Sequence, residues 1–179
     1  MIKEIILIFW TKKNLFSFLT SIILVCSFII IGMLLPVISY SGNPFDSLSI
    51  IKGKSFLSLL IYIFLNNIRV VLGIMLGAFT YGIITIILLL INGLMFGYLV
   101  FKVVFVYMSI FNIFYLYILF EILAYICASS IGLKGIFLSY KKFKEIFEVK
   151  DLLIIILSFL FTFSSAIIES HLYFLIKNK

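Results

Sequence analysis

The sequence predicts an all-α, polytopic integral membrane helix bundle of about five transmembrane helices, with one interfacial or re-entrant helix and a cytoplasmic amphipathic helix. Three observations carry this. The chain of 179 residues is 65% hydrophobic and only 12% charged, with a mean hydropathy of +1.34, against roughly 45–50% apolar and 25% charged residues in soluble domains. Apolar runs of bilayer length recur along it, a span needing about 20 residues. Its 14 basic residues, against 7 acidic ones, fall mostly in the breaks between those runs, where a membrane surface receives them. The basic balance therefore does not argue for nucleic acid. Residues 1–179 read as a single transmembrane domain.

Leu15–Ile38 is the first span, after a basic head with Lys3, Lys12 and Lys13. It is too long for a signal peptide and lacks the small-residue cleavage site. Pro36 and the turn-rich segment SYSGNPFDSLSIIKGKS close it. Phe56–Leu65 is apolar but about half a bilayer long, which predicts an interfacial or re-entrant helix. Ile68–Ile91 is the second span, Asn92-Gly93 interrupts the pattern, and Leu94–Ile110, Ile113–Leu133 and Leu152–Ser170 follow as the third, fourth and fifth.

Loop 134–150 carries Lys134, Lys141, Lys142, Lys144 and Lys150, and the positive-inside rule places it in the cytoplasm. Its apolar residues Ile136, Phe137, Tyr140, Phe143, Ile146 and Phe147 recur at roughly helical spacing, which predicts an amphipathic helix on the membrane surface. Counting back through the spans puts the N-terminus in the cytoplasm as well. The C-terminus, with Lys177 and Lys179, falls outside.

Gly73 and Gly77 are four apart, as are Gly93 and Gly97. Each pair makes a notch on one helix face that permits close helix approach, so spans two and three are expected to touch there. Asn92-Gly93 suits a tight turn between them, because both residues tolerate positive φ. Asn66 and Asn67 are placed to satisfy backbone groups left open where a re-entrant helix turns, or to cap span two. Arg69 either snorkels to the headgroups or pairs with an intramembrane carboxylate.

Two such carboxylates are present, Glu121 in span four and Glu169 near the end of span five. Ionisable groups at that depth are functional candidates, with a structural ion pair to Arg69 as the competing reading and Lys102 on span three as a further partner. Cys26 and Cys127 lie in apolar runs without metal or disulfide spacing and read as small buried residues.

The order of these features is similar to the stage II sporulation protein M (SpoIIM-like) family of bacterial membrane proteins. The matching pieces are Asn66, Asn67 and Arg69; Gly77; Asn92, Gly93 and Gly97; Glu121, Ala124 and Gly132; and Ala166 with Glu169, over about residues 10 to 175. One departure stands out: many relatives carry Pro-His-Gly shortly before the glutamate, and this chain has Tyr117-Ile118-Leu119. The resemblance implies a multi-pass protein of the bacterial cytoplasmic membrane that works as a subunit and holds no cofactor. In one branch such subunits serve the maturation, export or self-protection of a circular-bacteriocin-type peptide, with other membrane proteins, an ABC-type ATPase, lipid and a hydrophobic peptide as partners. In the other they are engulfment scaffolds that recruit cell-wall hydrolases.

A third reading is an intramembrane peptide-processing enzyme using Glu121 and Glu169, with Cys127 or the asparagines. His171 is the single histidine, and no Ser-His-acid triad or zinc pattern accompanies it. No phosphate-binding loop occurs either, so an ATPase would be a separate chain.

Overall fold

A computed structural model of the chain describes residues 12–34, 55–106, 111–137 and 151–177. These residues are all-α, and five helices among them are long and apolar enough to cross a membrane. They are α1 (Lys12–Leu34), α2 (Phe56–Leu76), α3 (Ile83–Val106), α4 (Phe111–Gly132) and α5 (Asp151–Lys177). Short 3-10 turns follow α2 (Gly77–Thr80) and α4 (Leu133–Phe137). Side chains such as Ile23, Leu34, Leu57, Ile83 and Leu160 stand exposed around the bundle. In water that belt would be a liability, whereas lipid tails cover it without cost.

The expected interfacial helix at 56–65 is instead the first half of a full span. Ser55 caps it by accepting from the Ser58 amide at 3.3 Å, and α2 runs without a break through Asn66, Asn67 and Arg69. The asparagines therefore cap nothing. Span 68–91 is likewise divided, because the turn lies at Gly77–Gly82 and not at Asn92-Gly93. Tyr81 and Gly82 hold positive φ angles of 53° and 79°, and the Gly82 amide donates to Gly77 O at 2.8 Å. Thr80 Oγ1 then accepts from the Ile84 amide at 3.3 Å and opens α3. Asn92-Gly93 sits inside α3, where Asn92 Nδ2 donates to Leu88 O at 2.7 Å. An asparagine that bonds its own preceding turn no longer needs a loop.

The span predicted at 94–110 is thus the second half of α3, with 107–110 outside the described residues. The spans predicted at 15–38, 113–133 and 152–170 overlap α1, α4 and α5, with 35–38 outside the described residues. Of the loop 134–150, residues 138–150 and the expected amphipathic helix lie outside the described residues.

Glycines set the packing. The Gly93 and Gly97 notch receives α1, not α2: a Cβ on Gly93 would stand 2.6 Å from Phe28 Cβ, and one on Gly97 would meet the Ile29 carbonyl and lie 2.7 Å from Met33 N. Gly32 returns the contact from α1, 2.5 Å from Leu94 O by the same construction. Phe28 opposite Gly93 and Met33 opposite Gly97 show that α1 and α3 run in the same direction. Gly73 and Gly77 do face α3, through Leu88 and Thr85.

At the turn end three helices meet. Gly132 of α4 abuts the Ile74 carbonyl and Thr85, and Gly135 abuts the Ala78 carbonyl. Thr85 Oγ1 donates to Ile74 O at 2.7 Å, tying α3 to α2. Thr85→Val keeps the shape and removes this bond, which is expected to cost about 1 kcal/mol. A denaturant titration in detergent micelles, followed by far-UV circular dichroism, measures it, and an unchanged midpoint would contradict the role. At the same end Lys134 pairs with Asp151, clamping the close of α4 to the start of α5, and Ser158 Oγ donates to Ala124 O at 2.9 Å. The buried core runs from Val71 and Ile74 across Leu89 and Phe96 to Ala128 and Ile131.

Candidate functional site

Polar side chains converge where α2 and α3 part. The two helices touch from the turn up to Gly73 and Leu88. Beyond that level α3 follows α1, its main packing partner, while α2 stays with α5 and α4. The space left between them is a cavity of about 710 Å³.

Its polar wall is Asn66 and Asn67 from α2, Asn92 and Tyr98 from α3, Tyr117, Glu121 and Tyr125 from α4, and Glu169 from α5. The rest is apolar, chiefly Val70, Leu94, Met95, Phe96 and Leu99. Counting residues from the turn end, Asn67, Asn92 and Glu121 each stand roughly 15 Å along their helices at a rise of about 1.5 Å per residue. In a hydrocarbon core of about 30 Å this is mid-depth, whereas Glu169 of α5 stands roughly 27 Å along by the same count from Asp151. Asn66 and Met95 are exposed as well as cavity-lining, so the cavity opens sideways between α2 and α3.

Glu121 is the centre of the site, only 4% exposed. Tyr125 donates to its Oε1 at 3.0 Å, and the Tyr117 and Ser165 hydroxyls stand beside the same carboxyl. Tyr117, Glu121 and Tyr125 are four residues apart along α4 and so share one face. The Glu121 Oε2 atom and the Asn67 Nδ2 atom are buried with no hydrogen-bond partner among the described residues. Both residues line the cavity, so an acceptor and a donor stand unserved at its wall, at a cost of about 1–3 kcal/mol each unless a ligand or water reaches them. Glu169, from α5, lines the same cavity.

Several sequence candidates fall elsewhere. Arg69 is exposed on the outer side of α2 and pairs with neither carboxylate, because a step of two residues from Asn67 turns it away from the cavity. His171 is exposed, two residues from Glu169 and so on another face of α5. Cys127 packs in the apolar core. Lys102 lies on α3, with its side chain outside the described residues. Among the described lining residues there is no histidine, cysteine or basic group, so the enzyme reading keeps its two carboxylates and loses the nucleophile that Cys127 would have supplied. Tyr117, Tyr125 and Ser165 were not candidates in the sequence, although the four-residue spacing of the two tyrosines about Glu121 was a signal for them.

Fold and site together define a class, an all-α membrane-type bundle whose polar side chains meet in a cavity midway along its spans. The chain belongs to the stage II sporulation protein M family: residues 18–172 match the sequence profile of SpoIIM, stage II sporulation protein M. That match reaches into all five helices and includes every cavity residue. No curated protein and no solved structure matches the chain.

Proposed function

We propose that the chain is the membrane subunit of a multiprotein assembly for the maturation, export or self-protection of a hydrophobic peptide. The observation that carries this is the cavity, which opens sideways at mid-depth and joins an apolar wall to residues with unpartnered hydrogen-bonding groups. A peptide in a bilayer must satisfy its backbone polar groups while its apolar side chains stay in apolar surroundings, and this lining offers both. The volume lies within the roughly 300–1,000 Å³ of pockets that enclose drug-sized ligands. It therefore suits a short segment of a peptide, with the remainder lying in lipid. In this reading the N-terminus and the loop after α4 are cytoplasmic, and a separate ABC-type ATPase supplies energy.

Gentle detergent extraction of the tagged protein from its native membrane, followed by mass spectrometry, tests the proposal. An ATPase, further small membrane proteins and an apolar peptide are expected to accompany it. Cell-wall hydrolases in their place would move the protein to an engulfment scaffold. Normal export of mature peptide from a strain lacking the protein would sink the export role.

A further inference from the structure

The cavity has a polarity of its own. Glu121 and Glu169 both line it, no described lining residue is basic, and Glu121 Oε2 is without a partner. Asn67, 8% exposed, lines the same space, and its amide nitrogen is without a partner among the described residues. Acceptors with acidic character thus stand on the α4 and α5 side, and a free donor stands on the α2 side.

We infer that the cavity takes the free amino terminus of an apolar peptide. The ammonium sits between Glu121 and Glu169, a carbonyl near the peptide's start accepts from Asn67 Nδ2, and the leading apolar side chains lie along Met95, Phe96 and Leu99. The inference rests on the peptide reading above and adds which end of the peptide is recognised. Other ligands fit less well. A peptide carboxyl terminus or a lipid phosphate would face two acidic groups. A metal cation needs a compact cage of oxygens, and this space is wide with a largely apolar wall. A mid-chain segment would use the asparagine but has no cation for a carboxylate pair. An ammonium supplies charge-assisted bonds to both acids and removes the cost of leaving Glu121 Oε2 unpaired.

The test uses the full chain in detergent micelles and a short apolar peptide amide with a fluorophore at its carboxyl end, with the α-amine either free or acetylated. Fluorescence anisotropy is expected to show the free amine binding at least about tenfold more tightly, in keeping with loss of a charge-assisted contact. In a Glu121→Gln, Glu169→Gln double variant the two forms are expected to bind alike. Glu169→Gln alone should narrow the ratio if the double variant does not fold. Equal binding of both peptides to the unaltered protein would overturn the inference and leave the peptide reading standing. A preference that persists in the variants would also overturn it, and binding of neither peptide would overturn both.

Discussion

Glu121→Gln is expected to cut the mature peptide leaving the cell at least about tenfold, at an unchanged level of the protein in the membrane. Glutamine keeps the volume, and its amide oxygen still accepts from Tyr125, so the bond at 3.0 Å survives. What is lost is the second acceptor, Oε2, which has no hydrogen-bond partner among the described residues. A contact of that kind to a charged partner contributes about 1.5–3 kcal/mol, which corresponds to roughly ten- to a hundredfold in binding. Glu169→Gln is expected to act in the same direction. Immunoblots of membranes and mass spectrometry of the culture medium separate function from folding. Reduced protein in both variants would make the carboxylates structural. Wild-type output in both would leave the chain a scaffold, and would remove the intramembrane acid site on which an enzymatic role depends.

Gly97→Leu is expected to have the largest structural effect, reducing folded, monodisperse protein by about tenfold or more. Any side-chain atom there meets the backbone of α1 at Ile29, Gly32 and Met33. Backbone cannot rotate aside as a side chain can, and overpacking commonly costs 1–3 kcal/mol even where side chains adjust. The helices would have to separate along the whole α1–α3 seam, and α3 would lose the support that holds it away from α2. Size-exclusion chromatography of the purified variant reads the loss. Leu72→Ala, on an exposed face of α2, should elute as the unaltered protein does. Wild-type behaviour of Gly97→Leu would mean that α1 does not pack where it is placed here.

The membrane-type class was legible because it rests on composition, which no packing detail alters. The spans were legible only in part, and asparagine explains the failure. In water Asn-Asn-x-Arg and Asn-Gly compete well with a helix and mark its ends. In a bundle the helix is already fixed by the need to pair every backbone group, so the polar side chain adapts to it, as Asn92 does through Leu88 O. The true turn was written in Gly77 and Gly82, whose spacing was masked by the apolar residues around them. Gly73 and Gly97 could be recognised as close-packing positions from spacing, but spacing does not name the partner. Gly97 meets α1 because that helix carries Gly32 at the matching height.

The site was legible as a set of residue types and not as a place. Asn66, Asn67, Asn92, Glu121 and Glu169 could each be singled out, since polar groups stand out in so apolar a chain. Their meeting depends on where α3 diverges from α2, a property of glycine contacts far apart in sequence. Tyr117 and Tyr125 escaped notice because aromatic residues are abundant in the spans, 18% of the chain. Arg69 is the converse case, conspicuous in sequence yet directed away from the cavity.

Site-specific photocrosslinking tests the central claim, that this cavity receives a peptide, most directly. A photoreactive residue placed at Met95, at the cavity mouth, should in cells capture an apolar peptide identifiable by mass spectrometry. The same residue at Leu160, exposed on α5, should capture lipid alone. Peptide at Met95 only is the expected result. Lipid alone at both positions, or peptide captured equally at both, would contradict it.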